Sequence, residues 1–236
     1  MARTSLDFQS TFNAACRACG FTPTQVAASP DRRDQLLDLF NRTHQIGYDY
    51  PADGWEDART SATLTPASRL ITNETVGDAT EFNVFTEDNR LETVNARRVS
   101  FTTSSAGILL AEELTTVWAS WVPETLEFTT STWVTSTAYV VGDKRLLTTN
   151  GHVYRCLVAH TSGTFATDLA ASKWVLMPIL SCLKDFIITY MHGQYLIESG
   201  QVETGLNLQA KAERDLDKKA TQDAQRNNRQ SVNYHP

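Results

Sequence analysis

Between Trp133 and Trp174 the chain carries a segment punctuated as a small folding unit of its own. In order it reads Trp133, Ala138-Tyr139, Gly142-Asp143, Asn150-Gly151, Tyr154-Arg155-Cys156, Ala159-His160-Thr161-Ser162-Gly163 and Trp174. Gly142-Asp143 and Asn150-Gly151 supply turns that need positive φ. Tyr139, Val141, Val153, Tyr154 and Cys156 supply a miniature core. Pro123 to Thr132 leads in and Pro178 leads out, so the segment interrupts an otherwise continuous helix–strand–helix plan. The expected organisation is residues 1–128 and 178–226 as one helical/β domain, 129–177 as an inserted β domain, and 227–236 as an extended polar tail.

The flanking sequence supports that plan. Phe8, Phe12, Ala15 and Cys19 recur at helical spacing over residues 5–19, and Gly20 with Pro23 ends the run. A second helix is signalled by Ser29 as cap, Pro30 at the first helical position, and Asp31 and Asp34 near its positive end. Leu36, Leu37, Phe40 and His44 form its inner face, and Gly47 ends it. Tyr48, Tyr50 and Trp55 follow as an aromatic turn. From 68 to 128 the period becomes two. Leu70-Ile71, Phe82-Val84-Phe85, Leu91-Val94, Val99-Phe101, Ile108-Leu110 and Val117-Trp121 are short runs between turns such as Glu87-Asp88-Asn89 and Ser104-Ser105-Ala106-Gly107, which read as an antiparallel meander. Val117, Ala119 and Trp121 fall on one face and Trp118 on the other. After Pro178 a long helix is expected over 179–198, broken by Gly200. A more polar one over 202–226 follows, with a thin stripe of Val202, Leu206, Ala212, Leu216 and Ala220. Lys211–Asp215 and Asp215–Lys219 are opposite charges at i, i+4. The fold class is therefore α+β: a helical bundle of two N-terminal and two C-terminal helices, an antiparallel β-meander and a small three-stranded all-β insert.

Charge and composition exclude several functions. A net charge of −6 over 236 residues argues against a sequence-reading nucleic-acid binder, which needs a basic face. Met1 to Ser5 has no apolar export-signal core, and the most apolar run, 179–197, carries Lys184, Asp185 and His192, so it reads as a buried helix and not a membrane span. Cys16-x-x-Cys19 lacks a second ligand pair and sits late in a helix, so two buried thiols are expected in place of a metal or redox site. The histidines at 44, 152, 160, 192 and 235 show no ligand spacing; His44 and His192 read as interior or interface residues. Glu56-Asp57 and Glu112-Glu113 are adjacent acids in turns, not a pair set across a cleft. No phosphate loop or nucleophile elbow appears. No cofactor, no metal and no enzyme activity are expected.

The order Trp, Ala-Tyr-x-x-Gly-Asp, Asn-Gly-x-x-Tyr-x-Cys, His-Thr-Ser-Gly, Trp resembles the small three-stranded carbohydrate-binding modules found beside chitinase and cellulase domains. That resemblance implies sugar stacking on Trp174, with Trp133 and Tyr154 as further candidates. The alternative is that Trp133 and Trp174 are core or spacer residues of a decorative domain. The remainder resembles phage head–tail adaptors of the tail tubular protein A kind. The matching stretches are Asp31-Arg32-Arg33 through Ile46-Gly47-Tyr48, Val99-Ser100-Phe101, Gly107-Ile108-Leu109-Leu110, Thr116-Val117-Trp118 and the mixed-charge helix from Val202 to Arg226. The resemblance implies a virion protein made in the host cytoplasm, forming a homo-oligomeric ring between the portal and the tail or nozzle proteins. DNA would pass through the acidic lumen without specific binding. It also implies a portal-docking tail at Arg226, Arg229, Tyr234, His235 and Pro236. The rival readings are a sugar-binding virion decoration and a hydrolase with an appended module, with no membrane contact in any of them.

Overall fold

The computed structural model describes residues 5–50, 55, 60–72, 80–87, 96–104, 106–122 and 127–232. In chain order its elements are β1 (Ser5–Leu6), α1 (Phe8–Ala18), α2 (Pro23–Ala27), α3 (Pro30–Tyr48), β2 (Thr60–Leu64), β3 (Leu70–Thr72), β4 (Thr80–Phe85), β5 (Phe101–Ser104), β6 (Gly107–Leu110) and β7 (Val117–Val122). There follow β8 (Ala138–Tyr139), β9 (Lys144–Leu147), β10 (His152–Cys156), β11 (His160–Thr161), α4 (Phe165–Ala170), β12 (Trp174–Met177), β13 (Ile179–Leu180), α5 (Lys184–Glu198) and α6 (Val202–Val232). The fold is mixed α+β with small antiparallel sheets. Contacts divide it into two units, Met1–Asp49 with Leu126–Lys219, and Tyr50–Thr125 with Ala220–Pro236.

In the first unit Asp7 caps α1, its carboxylate accepting from the Ser10 N–H at 2.7 Å. The buried face is Phe8, Thr11, Phe12, Ala15 and Cys16, as the helical spacing requires. Thr22 and Gln25 form a reciprocal capping box that starts α2, so Pro23 opens a short helix at the point where only the end of the first helical run is expected. Ser29 occupies the cap position of α3, but its side chain makes no capping bond. The inner face of α3 is Leu36, Leu39, Phe40, Thr43, His44 and Gly47. Leu37 is only half-buried and Leu39 takes the inward position expected of it. The rings of Phe8, Phe12, Phe40 and Phe128 pack together with centroids 5.3 to 5.9 Å apart.

Residues 179–183, expected to begin a helix, do not. Ile179 and Leu180 pair antiparallel with Leu6 and Ser5, and a 3-10 turn (Ser181–Leu183) intervenes before α5. Helix α5 then packs on α1 and α3, with the Phe186 ring filling the space over Gly47. It crosses α6 at a glycine pair: a Cβ on Gly193 would sit 2.7 Å from the Gly205 carbonyl oxygen. Ala212 and Leu216 continue that seam, whereas Val202 and Leu206 face solvent. Lys219 pairs with Asp185 at 3.2 Å and Asp215 with Lys218 at 3.1 Å, in place of the two expected i, i+4 pairs.

The 129–177 segment is docked onto this helix layer, so the contacts place it in one unit with the helices and leave the β-region separate. Gly151, with φ +73°, lies so close to α1 that a Cβ there would meet the Asp7 carboxylate at 2.7 Å. The Gln9 N–H donates to the Gly151 carbonyl at 2.9 Å. Within the segment β9, β10 and β12 make a three-stranded antiparallel sheet, β8 and β11 a second ribbon, and α4 covers one side.

The second unit holds two three-stranded antiparallel sheets, ordered β2-β7-β4 and β3-β6-β5. Among the described residues only β5–β6 is a tight hairpin, and the sheet orders are not those of a simple meander. Val117, Ala119 and Trp121 do share the inner face, with Ile71, Val84, Val99, Ile108 and Leu110. Trp55 is buried in this unit and Tyr50 is exposed. Leu91-Val94 and most of the Glu87-Asp88-Asn89 turn lie outside the described residues.

Candidate functional site

The aromatic side chains of the 129–177 segment converge, but inward. Trp174 is 3% exposed and Tyr154 7%. Trp174 packs edge-on against Tyr139 at 5.1 Å, and Tyr154 against Phe165 at 4.7 Å. Trp133, half-buried, meets the same Phe165 ring at 5.6 Å. The residues expected to stack on sugar are therefore the core of the segment, and neither Trp174 nor Tyr154 offers an open face. A unit this small has few large side chains to bury, and the rings are used for that. Phe165 was not singled out from sequence; Thr164, which caps α4 by accepting from the Thr167 N–H, is the signal that a helix brings it there.

Beside that core lies a polar cluster in the order thiol, imidazole, carboxylate. The Cys156 sulfur is 3.8 Å from His160 Nδ1, and His160 Nε2 is 3.4 Å from Asp168 Oδ2. Asp168, 2% exposed, also accepts from Lys173 Nζ at 3.0 Å and the Gly163 N–H at 3.1 Å. Burial pushes its carboxyl upward, but the Lys173 bond, the Gly163 N–H and the nearby His160 outweigh it and hold the group below its ordinary value. A nucleophile would need an open thiolate. Cys156 is fully buried, its thiol donates to the Val158 carbonyl at 3.1 Å, and burial pushes its pKa up. The cluster therefore ties the 158–163 loop to α4 and Lys173. Replacing Asp168 with alanine leaves the Gly163 N–H and Lys173 unpaired and is expected to cost about 3 kcal/mol in urea denaturation followed by tryptophan fluorescence. An unchanged midpoint would refute that role. Because the carboxyl pKa is depressed in the fold, this contribution is present above the ordinary 3.8 and is lost as the pH falls below it.

The other candidates do not assemble into chemistry. Cys16 and Cys19 are buried, and burial pushes both thiols up to about 12. Glu112 is held by Arg97 at 2.7 Å, and that hydrogen bond keeps its carboxyl below the usual range. Glu113 is exposed, and Glu56-Asp57 lies outside the described residues. A cleft of about 230 Å³ is lined by Phe21, Arg32, Leu36, Tyr195 and Glu198; its one acid, Glu198, pairs with Arg42 at 3.4 Å. Among the described residues no three His, Cys, Asp or Glu side chains converge as a metal would require, and no helix is long and apolar enough to cross a membrane. Residues 227–232, expected as extended tail, continue α6 as helix. Arg226 and Arg229 lie on that helix, and Tyr234, His235 and Pro236 fall outside the described residues.

Comparison of the chain with family models, with curated proteins and with solved structures gives no match.

Proposed function

We propose that this chain is a structural protein of a tailed-phage virion, a head–tail adaptor whose copies close into a ring between portal and tail. The observation that carries the reading is two groups among the large apolar side chains that the first unit leaves in water, which also include Ile46, Val134, Leu169 and Val175. Val202 and Leu206, one turn apart at the start of α6, are 50% and 53% exposed, and Val140, Val141 and Val158 are 62%, 65% and 51% exposed. Val140 and Val141 directly follow β8 in the chain, and Val158 shortly precedes β11, the strand that pairs with it. Helix α5 lies between the two groups in the chain, and its 15 residues span about 22 Å. The 129–177 segment joins its N-terminal end and α6 leaves its C-terminal end. Exposed aliphatic residues are ordinary when scattered, but grouped ones mark interfaces. Ring closure needs two different adhesive faces on each subunit.

The segment docked through Gly151 serves here as a fixed spacer within the subunit, not as a tethered sugar binder. The net charge of −6 suits a lumen along which phosphates slide without adhering. The C-terminal end of α6 and the residues after it, from Arg226 to Pro236, dock on the portal. No bond-making centre is needed. Electron microscopy and mass photometry of the purified chain should find closed rings, alone or on portal. Val141→Asp and Leu206→Asp should each yield folded monomers. Monomers of the unmodified chain at every concentration, with and without portal, would rule the reading out.

A further inference from the structure

His44 is 2% exposed, and neither Nδ1 nor Nε2 has a hydrogen-bond partner. Its ring meets the Phe128 ring edge-on at 4.9 Å and stacks on Tyr48 at 5.7 Å. Phe128 is the point at which the chain entering the 129–177 segment is seated on α3. Asn41 holds it at both backbone groups, accepting from the Phe128 N–H at 2.8 Å and donating to the Phe128 carbonyl at 3.1 Å. An aromatic hydrocarbon would fill the His44 site without leaving two polar atoms unsatisfied.

We propose that His44 is an acid-operated latch, whose protonation releases Phe128, and with it the chain leading into the 129–177 segment, from the helix layer. Among the described residues a charged imidazolium at this position has no acceptor for either N–H. On α3 its ring neighbour is Tyr48, while Arg42, on the solvent side, pairs with Asp38 and Glu198. On the entering chain, exposed Glu127 pairs with Lys144. On α1, Asp7 is engaged by Ser10, and the Cys16 and Cys19 thiols stay protonated. On α5, Lys184 is exposed and Asp185 pairs with Lys219. Burial alone drives the His44 ring down to about 4 from its ordinary 6.5. The released state therefore binds more protons between those two values. The latch is at full strength above pH 6.5 and weakens as the pH falls toward 4, with release favoured about tenfold more per pH unit. Protonation of Asp168 acts below 3.8 and falls outside this window.

Hydrogen exchange of the full chain between pH 7 and 4.5, corrected for intrinsic rates, tests the proposal. In the unmodified protein, peptides covering 127–132 and 41–48 should open about tenfold more per pH unit of acidification below 6.5. In His44→Leu the same peptides should show a flat profile. A flat profile in the unmodified protein, or an equal slope in His44→Leu, overturns the latch. Should the variant fail to fold, the imidazole proton resonances of the unmodified protein decide. A His44 ring that titrates near 6.5 while residues 127–132 stay protected also overturns it.

Discussion

Trp174→Ala is expected to unfold the 129–177 segment, not merely to blunt a surface. The indole is 3% exposed and packs against Tyr139, with Phe165 and His160 close by. Truncating a buried tryptophan costs about 3–5 kcal/mol, and a core whose fully enclosed members are Tyr139, Tyr154, Cys156 and Trp174 has little with which to close the hole. Near-ultraviolet circular dichroism should lose the aromatic signal of the segment, and its amides should exchange freely. The sheets of the second unit, whose core contains none of these residues, should keep their protection. If the variant were as stable as the parent, the ring would have to lie on the surface, and sugar stacking would return as an explanation for it.

Gly205→Ala should destabilise the protein although alanine is the better helix former by about 1 kcal/mol. A Cβ on Gly205 would sit 2.5 Å from the Gly193 carbonyl oxygen and 2.6 Å from Ile197, so α5 and α6 would have to separate along their length. Such overpacking costs about 1–3 kcal/mol, and against backbone it has no soft direction in which to relax. With the upper end of that cost and the propensity gain subtracted, the net loss is about 2 kcal/mol, and the expected result is a Tm lower by roughly 4–8 °C. Thermal melts showing an unchanged or raised Tm would mean that the two helices do not cross at these glycines. The sign of the effect is therefore diagnostic on its own.

Those two sites also show what the sequence made legible. Phe8, Phe12 and Ala15 at helical spacing, Pro30 at a helix start and Gly200 at a helix end were sufficient to place α1, α3 and the α5–α6 break. Alternation from Val117 to Trp121 assigned the inner face of β7. Periodicity failed where contacts between distant residues decide the outcome. Two-residue strands such as Ser5–Leu6 and Ile179–Leu180 have no period to read, and only their partner reveals them. On α6 the large residues Val202 and Leu206 were assigned inward, yet the seam forms where Gly193 and Gly205 let two backbones approach. For Trp133 and Trp174 the sequence leaves open sugar contact or core, because residue order does not say which side of a ring meets water. Asp168 was missed because its partners His160, Gly163 and Lys173 lie across a loop and a short helix. The run from Asn227 to Val232, although polar, has residues enough to extend a helix already nucleated upstream.

The pairing of Ser5–Leu6 with Ile179–Leu180 also fixes an order of events during synthesis. Helices α1 to α3 leave the ribosome first, but the strand and the helix α5 against which they pack are encoded more than a hundred residues later. At ordinary elongation rates that is a wait on the order of ten seconds. During it Phe8, Phe12 and Phe40 lack the cover of α5, while the strands of the second unit's sheets, from Thr60 to Val122, are already made. The amino-terminal helices are thus the part of a nascent chain that a chaperone would have most reason to hold.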